Sequence, residues 1–215
     1  MTAAWADRRS AGRWIFFAGA PGSRWSAVAR AVYSSADCDN TDARPDRQYA
    51  RDGEDGPMHT GAYWDPGMEF GQGFDRLDDL GRAACEAAFD APFSGEGRRV
   101  VKSHTFCHHL AYLRRTWPDS PVVAIHRPDA DCLRWWLEAG GFGIGYPDYG
   151  PYYRDTETMA ARIAAQNRDL LEFLDQFGLR LEIADSVELC RRLGIRASTP
   201  KLDFGTLDVR VGVAA

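Results

Sequence analysis

The fold of this chain is decided by residues 14–30, which read WIFFAGAPGSRWSAVAR. The first five residues are bulky and apolar, in a run short enough for a strand that is buried on both faces. The last part is rich in alanine and other good helix formers. Between the two lies a turn with two glycines and a proline. The stretch therefore predicts a strand, a tight turn and a helix.

The turn between this strand and this helix predicts an anion-binding loop. Several backbone N–H groups at such a turn lack partners, and the helix dipole favours negative charge at the same point. Ser23 and Ser26 add hydroxyl donors, and Arg24 adds positive charge. A turn that uses glycine for geometry alone is the alternative. The Gly-Lys-Ser/Thr triplet of nucleoside-triphosphate loops is absent, because residues 23–26 read Ser-Arg-Trp-Ser.

Composition narrows the class of protein. The chain has 215 residues, of which 45% are hydrophobic and 27% charged, as in an ordinary globular domain. The net charge of −5 argues against a broad nucleic-acid surface, since such binding depends on neutralising phosphates. No stretch has the apolar length of a membrane span or a secretory signal. We therefore expect a cytoplasmic protein that binds neither nucleic acid nor a membrane, and its oligomeric state stays open.

The five cysteines are odd in number, scattered, and without a Cys-x-x-Cys pair. Such spacing indicates neither a disulfide framework nor a zinc site, so we expect reduced, buried thiols. His104, Cys107, His108 and His109 could instead bind a metal, but no carboxylate or distant His/Cys pair completes the set. We expect no metal.

Strands and helices alternate along the rest of the chain. Apolar runs predict strands at 98–102, 121–125 and 179–184. The helix that follows the first strand is predicted to end near Tyr33. Further helices are predicted at about 75–89, 106–116, 129–139, 156–177 (capped by Thr156) and 186–193. Residues 34–57 form a polar surface segment within a loop excursion at about 34–73, and the tail after 198 gives no prediction. This order predicts one α/β domain, a three-layer sandwich with a mostly parallel central sheet.

Three of the predicted strands end in groups that could do chemistry. The loop at 19–26 follows the first strand, Lys102-Ser103-His104 ends the second, and His126-Arg127 leaves the third. In open parallel sheets, ligands bind outside the carboxyl ends of the strands. A single His or Arg after a strand is more often a cap or an ion-pair partner. Their shared placement nevertheless predicts one functional site.

The order of these motifs resembles the cytosolic sulfotransferases. A strand, Lys-Ser-His, a helix and a strand ending in Arg-Pro-x-x-Asp are similar to that family's Lys-Thr-His and Arg-x-x-x-Asp, which follow a phosphosulfate-binding loop. The likeness covers about residues 14–139, with a weaker echo at 181–194. It implies a P-loop NTPase-like sulfotransferase fold. The implied reaction transfers a sulfuryl group from 3′-phosphoadenosine 5′-phosphosulfate to a hydroxyl or amine of a small-molecule acceptor.

The resemblance also implies roles for individual residues. His104 would be the catalytic base, with Lys102 and Arg24 assisting, and Arg127 would bind the 3′-phosphate of the donor. The predicted donor-binding loop consists of Gly19, Ala20, Pro21, Gly22, Ser23, Arg24, Trp25 and Ser26. Some features depart from the family: its loop lysine has no counterpart, and a serine expected eight residues after Arg127 is Trp135. Its C-terminal Arg-Lys-Gly element is also missing.

Two aromatic stretches, at 59–70 and 142–153, offer candidate contacts for the acceptor. These candidates are His59, Tyr63, Trp64, Phe70, Phe142 and Tyr146, which could equally pack on one another. A P-loop kinase for small molecules, with Asp185 as the Mg²⁺ ligand, is one alternative function. A nucleotide-binding module without catalysis is the other.

Overall fold

The computed structural model describes residues 12–51, 57–197 and 200–214 of the chain. Residues 1–10, expected to carry no targeting signal, and residues 52–56 of the polar segment lie outside this description. The strands are β1 Trp14–Ala18, β2 Cys38–Asp39, β3 Gln48–Tyr49, β4 His59–Thr60, β5 Arg98–Lys102, β6 Val122–His126 and β7 Arg210–Ala214. The helices are α1 Trp25–Tyr33, α2 Arg82–Asp90, α3 Leu110–Thr116, α4 Asp129–Glu138, α5 Gly150–Tyr153, α6 Thr156–Gln176 and α7 Ser186–Leu193.

The central sheet has five strands in the order β2-β5-β1-β6-β7. The pairs β2–β5, β5–β1 and β1–β6 are parallel, and β7 is antiparallel to β6. Strands β3 and β4 form a separate antiparallel pair. The predicted α/β class with a mostly parallel sheet is therefore confirmed, and the carboxyl ends of β1, β5 and β6 meet at one edge.

Strand β1 explains why helices cover both faces of this sheet. Its side chains alternate: Trp14 and Phe16 belong to one buried cluster, and Ile15 and Phe17 belong to the other. Helices α2, α3 and α6 pack in the first cluster, and α1 and α7 pack in the second. A strand that is apolar on both sides can be stable only between two such layers.

Several predicted boundaries are wrong in detail. The helix predicted at 75–89 is a 3₁₀ turn followed by α2, because Leu80 and Gly81 are extended. The helix predicted at 106–116 likewise begins with a 3₁₀ turn, and α3 starts only after His109, which has non-helical angles. The cap of α6 is Asp155 rather than Thr156, since the Asp155 carboxylate accepts from the N–H of Thr158.

Two strands were misjudged for physical reasons. Strand β2 lies inside the polar segment 34–57 and has no apolar run that would mark it as a strand. Its buried Asp39 lies 3.7 Å from Arg99 of the neighbouring strand β5, which allows a polar residue at this position. The strand predicted at 179–184 is extended chain with one bridge, from Ile183 to Val211 of β7. The backbone of this chain crosses Gly212 so closely that an added Cβ would lie 2.5 Å from the Arg180 oxygen. The strand that pairs with β6 is β7.

All five cysteines lie in the described residues and are buried, with no disulfide among them. Burial raises the pKa of Cys38 and of Cys132 to about 12. None of the described helices combines the length and the apolar character that crossing a membrane requires.

Gly22 is the residue that allows the turn after β1 to pack on α4. Its φ is +77°, and a Cβ at this position would lie 1.9 Å from the carbonyl oxygen of Cys132. Both the left-handed conformation and the close backbone approach exclude a side chain. Only glycine at position 22 therefore allows the loop to pack this closely against α4.

We expect Gly22→Ala to lower the free energy of unfolding by more than about 2 kcal/mol, because it combines a strained φ with a backbone overlap. Urea unfolding measures this change. Gly143→Ala is the matched control, since its φ is not positive and its Cβ would meet no atom within 4 Å. The control should change stability by less than about 1 kcal/mol. Equal effects of the two substitutions would contradict this account of the loop.

Candidate functional site

The turn between β1 and α1 has the geometry of an anion loop. Arg24 is the N-cap of α1 and adopts a left-handed conformation with φ 60° and ψ 17°, which is uncommon for a side chain of this size. The N–H groups of Trp25 and Ser26 follow in the first turn of the helix, where no intrahelical acceptor exists. The strained Arg24 thus turns the chain so that a helix start directly follows the loop.

Ser23 places a polar atom without a partner inside this loop. Its side chain is fully buried, and its Oγ has no hydrogen-bond partner among the described residues. The Oγ lies so close to Gly19 that an added Cβ there would come within 2.9 Å of it. A buried hydroxyl of this kind costs free energy unless something binds it. It is the type of group that an anion in the loop would satisfy.

His104 joins the turn after β5 to this loop. Its Nδ1 lies 2.6 Å from the carbonyl oxygen of Gly19. A carbonyl oxygen only accepts, so Nδ1 carries the proton and a neutral imidazole keeps its lone pair on Nε2. Burial lowers the pKa of His104, although Asp65 and the bond to Gly19 oppose the change. The neutral form that can act as a base is therefore favoured.

Asp65 holds the His104 turn in place. One carboxylate oxygen accepts from the backbone N–H of His104 at 2.6 Å and from the hydroxyl of Ser103 at 2.9 Å. The other oxygen is buried without a hydrogen bond and lies 3.7 Å from His104 Nε2. It places negative charge close to the nitrogen that would receive a proton.

A pocket opens on the anion loop. Its walls come from the loop with the start of α1, from β4 and the residues before it, from α4, and from the segment before α5. The described residues that line it are Gly22, Arg24, Trp25, Ser26, Ala27, Arg30, Pro57, Met58, His59, Trp135, Trp136, Ala139, Ile144 and Tyr149. Two arginines and several aromatic rings thus surround the N-terminus of α1, which suits an anion that carries a flat or apolar group.

Three side chains form a closed hydrogen-bond triangle beside the pocket. Ser26 Oγ lies 2.8 Å from His59 Nδ1 and 2.9 Å from Tyr63 Oη, and the last two atoms are 2.8 Å apart. Burial lowers the pKa of His59 to about 3, so the imidazole is neutral at physiological pH. The triangle ties the loop serine to the aromatic stretch after β4.

Lys102 and Arg127, the other two cationic residues predicted for the site, are not among the described residues that line this pocket. The ammonium group of Lys102 donates to the Thr60 carbonyl and lies 4.9 Å from the centre of the Tyr63 ring. Burial lowers the pKa of Lys102 to about 8. It lines a smaller cavity whose wall shares Ser26 and Arg30 with the main pocket.

The Arg127 guanidinium contacts the carbonyl of Asp131 at 3.2 Å and the carboxylate of Asp208 at 3.4 Å. Its Nε is buried without a partner among the described residues. Arg127 is not among the described residues that line the main pocket, so loop and arginine are not brought together there.

Trp135 faces the anion loop. Its ring lies under the Arg24 guanidinium, with 4.1 Å from the carbon atom to the ring centre. Where the resemblance leads us to expect a serine hydroxyl, the chain therefore supplies a cation–π contact. This contact orients Arg24 at the rim of the pocket.

The six aromatic residues proposed as acceptor contacts have different environments. His59 lines the pocket, and the other five are not among the described residues that do. Tyr63 and Tyr146 stand behind it, where the Tyr146 hydroxyl accepts from the Tyr63 N–H at 3.0 Å. Trp64 and Phe70 pack in the hydrophobic core, and Phe142 is 40% exposed against Trp136.

The histidines around residue 104 do not form a cluster. His108 pairs with Asp169 at 2.5 Å, and His109 faces Asp78 at 3.4 Å. Within residues 12–51, 57–197 and 200–214, no group of three His, Cys, Asp or Glu side chains could hold a metal ion.

Asp65 and Tyr149 contact His104 but are not among the predicted site residues, and several pocket residues such as Arg30 and Trp136 were not predicted either. Asp65 and Tyr149 each stood inside a stretch noted only for its aromatic residues, and neither belongs to a motif. A buried acid between Trp64 and Pro66 was the one available signal for Asp65. Tyr149 had none.

The buried neutral His59 predicts a specific loss of stability in acid. Its folded pKa of about 3 lies below its unfolded value, so only the unfolded chain gains a proton between about pH 6.5 and pH 3. The free energy of unfolding then falls with falling pH, by up to about 1.4 kcal/mol per unit from this group. In urea titrations from pH 7 to 4.5, the stability advantage of wild type over His59→Gln should shrink. Parallel curves would show that His59 takes up its proton at the same pH in the folded and in the unfolded chain.

Comparison with protein-family models, with curated proteins and with solved structures finds no match to this chain. Its function therefore has to be inferred from the geometry of the site and from the resemblance of its motifs.

Proposed function

We propose that this chain is a sulfotransferase that moves a sulfuryl group from 3′-phosphoadenosine 5′-phosphosulfate to a hydroxyl or amine of a small-molecule acceptor. The observation that carries the proposal is the hydrogen bond between His104 Nδ1 and Gly19. It holds an imidazole with its lone pair on Nε2 beside the loop that we assign to the phosphosulfate of the donor. Sulfuryl transfer needs these two parts, a base for the acceptor proton and donors for the leaving phosphate.

The loop supports the binding of the donor's phosphosulfate. The first N–H groups of α1, the Ser23 hydroxyl and the Arg24 guanidinium can all face an anion at this turn. Such donors stabilise the oxygens that gain charge as the sulfur–oxygen bond breaks. The adenosine and its 3′-phosphate enter the proposal through the resemblance alone, and so do the roles of Lys102 and Arg127.

The kinase alternative is weakened by the position of Asp185. This carboxylate caps α7 by accepting from the N–H groups of Val187 and Glu188, and it pairs with Lys201 at 2.7 Å. Its capacity as an acceptor is thus used by α7 and by Lys201. A nucleotide-binding module without catalysis would not need His104 in the tautomer that can accept a proton. The hydrogen bond to Gly19 therefore favours the sulfotransferase over this alternative.

We expect adenosine 3′,5′-bisphosphate to raise the melting temperature without added metal. A ligand that binds only the folded state adds about 2.7 kcal/mol of stability at a hundredfold excess over its dissociation constant. Thermal-shift assays with adenosine 5′-phosphate, ATP and ATP with Mg²⁺ provide the comparison. Stabilisation by ATP with Mg²⁺ alone would favour the kinase. Binding of the bisphosphate without any release of it from the phosphosulfate donor would favour the non-catalytic module.

Ser23→Ala should leave the stability of the free protein within about 1 kcal/mol of wild type, because the hydroxyl has no bond to lose. Affinity for the bisphosphate should fall about tenfold or more, because a charge-assisted hydrogen bond disappears.

Ser186→Ala is the control for this loss. Its hydroxyl is buried and accepts from the Leu202 N–H at 2.9 Å, so the change should destabilise the fold and leave the affinity unchanged. If Ser23→Ala instead lowers stability and keeps the affinity, Ser23 is not part of an anion site. Calorimetric titration and urea unfolding give the two quantities.

A further inference from the structure

The imidazole of His104 does not reach the pocket directly. Its side chain has no exposed surface, and it is not among the described residues that line the pocket. The Trp25 ring covers it at 4.4 Å between ring centres, and Trp25 does line the pocket. An acceptor in the pocket therefore needs another group to pass its proton to this base.

Tyr149 contacts both the base and the pocket. Its hydroxyl lies 3.4 Å from His104 Nε2, and Tyr149 is one of the residues that line the pocket. The ring is held by edge contacts to Trp136 at 5.7 Å and to Tyr153 at 5.5 Å. These two contacts hold the phenol ring, which also stacks on the His104 imidazole at 6.0 Å between ring centres.

The direction of the hydrogen bonds follows from the chemistry of the partners. Nδ1 of His104 donates to Gly19, so Nε2 accepts and the Tyr149 hydroxyl donates to it. The partnerless oxygen of Asp65 lies 3.7 Å from the same Nε2. Its negative charge stabilises an imidazolium when a proton arrives there.

We infer that Tyr149 relays the acceptor's proton to His104 during sulfuryl transfer, a step that rests on the proposed function. The acceptor oxygen forms a bond to sulfur while the bond from sulfur to the phosphate oxygen breaks. The leaving bisphosphate keeps the electron pair of that bond. The acceptor's proton moves to the Tyr149 oxygen, and the proton already on that oxygen moves to His104 Nε2. Tyr149 ends unchanged, and His104 ends as an imidazolium beside Asp65.

The test measures single-turnover transfer from the phosphosulfate donor to p-nitrophenol, phenol and benzyl alcohol by Tyr149→Phe. Transfer to benzyl alcohol, which keeps its proton at neutral pH, should fall about a hundredfold or more. Transfer to p-nitrophenol, which ionises near neutral pH and needs little help from a base, should fall far less. Affinity for adenosine 3′,5′-bisphosphate and the melting temperature should stay near the wild-type values.

Two variants frame this result. Tyr153→Phe removes a buried hydroxyl that bonds to Gln166, not to His104, and should transfer to all three acceptors like wild type. His104→Asn should lose transfer with the same dependence on the acceptor as Tyr149→Phe, because both interrupt one path.

Other outcomes would overturn the relay. If Tyr149→Phe keeps full transfer while His104→Asn loses it, the acceptor reaches His104 directly and the proposed function stands without the relay. If Tyr149→Phe loses stability and bisphosphate affinity together, Tyr149 is a structural residue. Wild-type protein that transfers to none of the three acceptors would remove the proposed function and the relay with it.

Discussion

The hydrogen bond from His104 to the carbonyl of Gly19 is the contact on which the site depends. It crosses from the end of β5 to the end of β1, two neighbouring parallel strands, and it fixes the imidazole tautomer and the course of the anion loop together. Asp65 holds the same turn from the other side through the backbone N–H of His104. The first of these two contacts joins the loop after β1 to the turn after β5 that carries His104. With them, the loop and the imidazole form one connected unit.

The site concentrates arrangements that cost free energy. Arg24 has a left-handed backbone, Ser23 carries a buried hydroxyl without a described partner, and one oxygen of Asp65 is buried in the same way. Strained or unsatisfied groups persist only where the surrounding packing holds them. Here the two aromatic and aliphatic cores around β1 provide that support. The clustering of such groups at one sheet edge is itself a reason to regard the edge as functional.

The sequence predicted what depends on local pattern. The apolar runs of β1, β5 and β6 predicted these three strands and their parallel sheet, because burial on two faces leaves a clear signal. Their order within the sheet was not predicted. Strand β2 was missed because its Asp39 is buried beside Arg99, which is a tertiary effect. The pattern of strand ends singled out the loop and His104 as candidates, but it could not show that Arg127 contacts Asp208, or that Trp135 contacts Arg24. The position of Tyr149 beside His104 depends on tertiary structure, because the two residues are 45 positions apart in the sequence.

The alternation of side chains in β1 limits how the chain can change in length. A deletion or insertion within residues 14–18 would exchange the residues of the two cores, because successive side chains point to opposite faces. It would also move Gly19 by about 3.3 Å along the strand, out of reach of His104. A change in the length of β1 would therefore disturb both the packing of the two cores and the contact between Gly19 and His104. Changes in chain length are tolerated more readily in exposed connections outside the sheet.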